Sequence, residues 1–160
     1  MPRGKTKIRM LALDVDGVLT DGGFWWGPAG EEWKRFSFLD VMGVSLARKA
    51  GLRVALISGE ASPLVDRFAA KMGITDVVKG CKDKAAALRT VARRHKIALQ
   101  SVAFMGDDVN DLGALKICGL PACPATAHPR NLAIAKFVSR RPGGNGAVRE
   151  LVDHLLEEAQ

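Results

Sequence analysis

The sequence predicts an α/β fold in three layers, with helices on both faces of a parallel sheet and a small β-hairpin beside it. Two observations predict it. Short apolar segments alternate with amphipathic ones from residue 9 to the end, the pattern of a parallel sheet covered on both sides. One stretch, residues 23–38, breaks the alternation with two short runs around Pro28-Ala29-Gly30, as a hairpin does.

Arg9 to Val15 is a short apolar strand stopped by Asp-Gly. Phe24 to Gly27 and Glu32 to Phe38 are the two hairpin strands. Val41 to Ala50 has helical spacing, with Gly51 as its C-terminal stop. Arg53 to Ile57 is an apolar strand, and Leu64, Val65, Phe68, Ala69 and Met72 mark one face of a helix ending at Gly73. Asp76 to Val78 is a strand, and Lys84 to His95 a helix with Ala85, Leu88, Val91 and Ala92 inward. Val102 to Met105 is a strand followed by a helix, Asp111 to Ile117. Leu120 to Cys123 and Phe137-Val138 are short strands, and Ala147, Val148, Leu151, Val152 and Leu155 line a last helix. Met1 to Lys7 is an exposed tail, and Gly143-Gly144-Asn145-Gly146 a mobile loop. The result is a Rossmann-like sandwich read as one domain, residues 1–160.

Composition narrows the function classes. No apolar run approaches the roughly 18–20 residues of a membrane span. The first one, Met10 to Leu13, ends at once in Asp14 and Asp16, so it is no signal-peptide core and the expected location is cytoplasmic. Cys81, Cys118 and Cys123 fit neither a disulfide framework nor a zinc template. The net charge of +7 comes from scattered groups, Lys5 to Arg9, Arg93 to Lys96, and Arg140 with Arg141. No basic run is interleaved with aromatics, so we expect a solvated surface and no nucleic-acid partner. The acidic residues behave differently, because five of the 17 fall in two tight groups, Asp14/Asp16 and Asp107/Asp108/Asp111.

Three predicted strands end in polar sequences: Asp14-Val15-Asp16-Gly17, Ser58-Gly59-Glu60, and Gly106 through Asp111. In a parallel α/β sheet such ends meet where ligands bind. Asp14 and Asp16, two apart, share one side of an extended chain. Gathered with Asp107 they would repel each other and resist joint ionisation, unless a hard cation sits among them. Magnesium suits such oxygen ligands and would bring a carboxylate nucleophile and a phosphoryl group together. Capping and turn roles account for any one of these aspartates, but poorly for all five. Ser58 and the N–H groups near Gly59 are placed to hold phosphate oxygens, although a turn with a helix cap has the same sequence. Lys84 opposes the dipole of the helix it opens, which suits either a phosphate clamp or a solvated surface. Phe24, Trp25, Trp26 and Trp33 exceed what a two-stranded hairpin can bury, so they pack into the core or, the preferred reading, form a subunit interface.

Asp14 through Gly22 resembles the first motif of the haloacid dehalogenase superfamily, with Ser58 similar to the second, Lys84 to the third, and Gly106-Asp107-Asp108 through Asp111 to the fourth. Gly30 to Phe36 and Gly143 to Glu150 resemble the capless subgroup, which acts on phosphorylated eight- and nine-carbon keto-deoxy sugar acids. The likeness runs from about residue 8 to 156. It implies a phosphatase with Asp14 as nucleophile and Asp16 as general acid and base. It implies magnesium on Asp14, the Asp16 carbonyl and Asp107, supported by Asp108 and Asp111. Ser58, Gly59, Lys84 and Asn110 would hold phosphate, Glu60 would face the sugar acid, and hairpins would join a homotetramer. The chain departs from the octulosonate branch at Glu60, where that branch carries arginine. It departs from the nonulosonate branch at Phe68, usually basic. The alternative is a non-catalytic scaffold domain of the same fold.

Overall fold

The computed structural model describes residues 6–160, so Met1 to Lys5, most of the expected tail, lie outside the described residues; Thr6 and Lys7 are exposed. Along the chain run β1 (Met10–Leu13), β2 (Trp25–Trp26), β3 (Glu32–Trp33), α1 (Phe38–Lys49), β4 (Arg53–Ile57), α2 (Pro63–Met72) and β5 (Asp76–Val78). Then come α3 (Lys84–Arg94), β6 (Val102–Met105), α4 (Leu112–Ile117), β7 (Leu120–Cys123), α5 (Pro129–Leu132), β8 (Phe137–Val138) and α6 (Ala147–Glu157). Six strands form one parallel sheet in the order β5-β4-β1-β6-β7-β8, and β2 pairs antiparallel with β3 as a separate hairpin. Among the described residues no further domain caps the sheet.

The pleat divides the core into two layers. Leu11 and Leu13 of β1 pack with residues of α1, α2 and α6, while Met10 and Ala12 pack with those of α3 and α4. Both faces of the central strands are therefore apolar, as parallel sheets require. Helix α6 packs along α1. Its N-cap, Gly146, has no side chain to cap it, and the buried carboxylate of Asp40 on α1 accepts from the N–H groups of Gly146 and Arg149 instead. That contact satisfies orphan donors and places negative charge at the positive end of the helix.

Three expectations change. The strand predicted to reach Phe38 stops at Trp33, because the Ser37 hydroxyl caps α1 by accepting from Leu39 N–H and the helix begins at Phe38. Helix α5 was not foreseen, although His128 at its N-cap and Pro129 in its first turn are start signals. The glycine loop before α6 is not loose: Gly143 and Gly144 are buried, and Gly144 N–H donates to the Val18 carbonyl at 2.9 Å. A Cβ on Gly143 would fall 1.8 Å from the Gly17 carbonyl oxygen, so only glycine lets the two loops touch.

Candidate active site

Strand β1 is the switch point of the sheet: the chain proceeds from it to β4 and β5 on one side, then crosses to β6, β7 and β8 on the other. Asp14 follows β1, Ser58 follows β4 and Gly106 follows β6, and each extends the ladder by one bond. Their N–H groups donate to the carbonyls of Met105 (3.0 Å), Val78 (2.8 Å) and Ala122 (3.1 Å). The pleat aims Asp14 to the same face as Met10 and Ala12, the face covered by α3. Lys84, first residue of α3, therefore meets it. Its Nζ lies 2.8 Å from Asp14 Oδ1 and 2.6 Å from Asp111 Oδ1.

Oxygens of Asp14, Asp107 and Asp111 lie within 4.8 Å of one another. Asp111 is fully buried and its bonds are taken up inside the chain: Oδ1 by Lys84, Oδ2 by the N–H groups of Asp107 (2.9 Å) and Asp108 (3.3 Å). Asp14 and Asp107 are left to face the cleft. Burial, then the charge of Asp111, holds the Asp14 carboxyl well above its usual range despite Lys84. Burial likewise pushes Asp107 up to about 6, with the Asp111 and Asp108 charges adding to it against a hydrogen bond with Asp14. Lys84 is held charged: burial alone would lower it, and the two carboxylates more than offset that. One ammonium against three clustered carboxyls leaves negative charge uncompensated, and the donors are all hard oxygens. The set fits a divalent cation of the magnesium type. Gly17, with φ +82°, completes the close approach, since a Cβ there would fall 1.8 Å from Asp107 Oδ2.

Asp16 does not join this cluster. The chain stops being extended at Val15, whose carbonyl accepts from Val18, Leu19 and Thr20 N–H, so the two-residue spacing no longer keeps both aspartates on one side. The Asp16 carboxylate turns to the hairpin instead, where Lys34 Nζ lies 2.8 Å from its Oδ1 and 3.4 Å from Glu32 Oε1. Burial would lower Lys34, but its hydrogen bond with Asp16 and the charges of Asp16 and Glu32 raise it.

A cleft of about 490 Å³ lies over these strand ends, and Asp14, Asp16, Asp107, Gly59, Glu60 and Asn110 are among the residues lining it. Ser58 and Lys84 are buried and do not line the cleft, and Ser58 Oγ accepts from Glu60 N–H. Asp108 caps the following 3₁₀ turn by accepting from Val109 N–H at 2.7 Å.

Sequence reasoning missed several residues that shape the site. Lys34 had a signal, because its alternation with Glu32 puts both charges on one hairpin face. Cys81 and Lys82 line the cleft just past β5, a fourth strand end. Thr20 Oγ1 accepts from Gly17 and Gly22 N–H, and Asn131 Nδ2 donates to the Asp108 carbonyl at 2.6 Å. Only tertiary structure reveals the Asn131 contact.

Comparison with known proteins gives a consistent picture. A family described as haloacid dehalogenase-like hydrolase matches residues 52–151. The chain is 41% identical over 149 residues to the 3-deoxy-D-manno-octulosonate 8-phosphate phosphatase KdsC of Escherichia coli, covering 93% of this chain and 79% of that one. It is 38% identical to the same phosphatase of Yersinia pestis, covering 93% and 80%. The octulosonate phosphatase of Moraxella catarrhalis, solved with magnesium ion, phosphate ion and KDO, superposes with a TM-score of 0.93 at 33% identity, covering 96% and 88%. The cobalt-bound phosphatase of Haemophilus influenzae superposes at 0.92 with 32% identity, covering 97% and 91%. Carboxylates at the switch point, the parallel sheet and a match running from β4 into α6 agree: the chain belongs to the haloacid dehalogenase-like hydrolases.

Proposed function

We propose that the chain is a magnesium-dependent phosphoric monoester hydrolase acting on a phosphorylated keto-deoxy sugar acid of eight or nine carbons, through an aspartyl-phosphate on Asp14. One observation carries this: Asp14 and Asp107 face a single cleft with raised pKa values and Lys84 buried beside Asp14, in a chain 41% identical to an octulosonate phosphatase. A folding scaffold has no use for two carboxyls held so unfavourably.

Asp14 and Asp107, with the main-chain carbonyl of Asp16, are the residues to hold magnesium, and Asp108 and Asp111 brace that shell. Bound there, the ion supplies positive charge between a carboxylate nucleophile and a phosphate dianion. An Asp14 oxygen attacks phosphorus and the bond to the sugar oxygen breaks. Asp16 gives its proton to that oxygen, then takes one from the water that attacks the aspartyl-phosphate. Lys84 favours the ionised form of Asp14. Backbone groups at Gly59 and the Asn110 amide hold phosphate oxygens, on a turn fixed by Ser58. Glu60 sets a negative charge on the wall where the octulosonate branch carries arginine, so both sugar lengths stay in the assignment.

Phe24 (50% exposed), Trp25 (56%), Trp26 (72%) and Trp33 (56%) support a homotetramer joined through the hairpins, each closing a neighbour's site. Three free thiols and no helix, among the described residues, long and apolar enough to cross a membrane support a cytoplasmic location.

The test is phosphate release, with magnesium and with chelator, from eight- and nine-carbon keto-deoxy sugar phosphates and from unrelated sugar phosphates. We expect magnesium-dependent release with a preference of about tenfold or more for a sugar acid, a discrimination a few specific contacts supply. Equal rates on all substrates remove the sugar-acid assignment and leave the reaction class. No release from any of them favours the scaffold.

A further inference from the structure

Asp16 stands on a turn, and among the described residues its one ion-pair partner is Lys34, through Oδ1 at 2.8 Å. Among the described residues no hydrogen bond or ion pair is seen at Oδ2, and Asp16 lines the cleft. The Lys34 side chain is 4% exposed, whereas those of Asp16 and Glu32 are 30% and 34% exposed. Carboxylates that open to water gain little from an ion pair, so stability does not explain a buried ammonium here. Lys34 also lines a second cleft of about 380 Å³ together with Phe36 and Phe68, whose rings stack at 4.9 Å. Packing of the stem fixes where the ammonium sits. Glu32 also pairs with the ammonium, through Oε1 at 3.4 Å, and accepts from Trp26 Nε1 at 3.1 Å. The line Trp26, Glu32, Lys34, Asp16 therefore ties the hairpin surface to the cleft.

We propose that Lys34 is a positioning residue for proton transfer: it holds Oδ1 of Asp16 and so presents Oδ2 to the leaving oxygen. The proposal rests on the general-acid role given to Asp16 above. As the bond between phosphorus and the sugar oxygen breaks, the proton on Oδ2 passes to that oxygen. Oδ2 then receives a proton from the water that attacks phosphorus.

The test separates substrates by what their leaving groups need. A sugar phosphate releases an alkoxide that must be protonated, whereas p-nitrophenyl phosphate releases a phenolate that need not be. The readout is kcat/KM on the magnesium-loaded enzyme, which covers substrate binding and the first phosphoryl transfer and leaves out hydrolysis of the aspartyl-phosphate. Lys34→Met keeps the stem and removes the ammonium. It is expected to lower kcat/KM for the sugar phosphate roughly 10- to 100-fold and for the aryl phosphate less than about threefold, with recovery in Lys34→Arg and little change in Tm. Equal losses on both substrates, no loss, or no recovery by arginine overturns the proposal. Asp16→Asn serves as the reference. A deeper split of the same kind upholds its role and isolates Lys34, while equal loss on both substrates removes the general-acid role and the proposal with it.

Discussion

At the ends of β1 and β6 the chain buries charge; on the hairpin it exposes its largest apolar side chains. Asp14, Asp111 and Lys84 are almost inaccessible to water and find their partners within one chain. Trp25, Trp26 and Trp33 are more than half exposed, because a two-residue strand pair offers too little surface to bury them. Both arrangements go against the usual preference, and in opposite senses. Each is incomplete in the single chain: the cluster lacks positive charge, and the hairpin lacks apolar cover. The first deficit suits an ion and the second a macromolecular surface.

Four changes break or sharpen that contrast. The largest effect is expected from Lys84→Met, which leaves Asp14 and Asp111 with no buried cation. It should cost about 3–5 kcal/mol in chemical denaturation and lower kcat/KM by about a hundredfold or more. Second comes the pH dependence of the cluster. Asp107 is raised from 3.8 to about 6, so the metal-free folded protein keeps a proton there that the unfolded chain has released. That share of stability is complete below about pH 4 and is lost as pH rises through about 6. Magnesium competes for the same oxygens, so its stabilising effect should grow across that range. Thermal unfolding should show a magnesium-induced rise in Tm several degrees larger near pH 8 than near pH 5. Third, Gly143→Ala drives a methyl group into the Gly17 carbonyl. It should cost about 1–3 kcal/mol and lower activity through Gly17, measured by denaturation beside turnover. Least affected should be the stability of Trp26→Ser, within about 0.5 kcal/mol of the parent, while sedimentation shows a smaller assembly. A loss as large as that of Lys84→Met would erase the contrast between the two regions.

The convergence of Asp14, Ser58 and Asp107 was legible because it needs only strand identity and the rules of parallel α/β topology. Strands β4, β5, β6, β7 and β8 were read with their bounds, since short apolar runs between turn residues leave little room for shift. What escaped depends on contacts distant in sequence. Asp16 stays out of the Asp14 cluster because the chain turns at Val15, and the hairpin delivers Lys34 to it, a delivery that no local propensity encodes. The glycine loop read as mobile, since glycine raises backbone freedom, yet here glycine serves close packing against the loop after β1. Ser37 was a cap hidden in an apparent strand, because β-propensity and capping preference overlap at Phe36-Ser37-Phe38.

The most direct measurement compares Asp14→Asn with the parent protein. Asparagine keeps the shape of the side chain but provides no carboxylate to take up a phosphoryl group. With magnesium and a keto-deoxy sugar phosphate, acid-quenched parent protein should carry a phosphoryl mass on the peptide containing Asp14. The variant should carry none and should release phosphate at least about a thousandfold more slowly. Turnover by Asp14→Asn within tenfold of the parent, or a phosphoryl group found on another residue, would contradict the account.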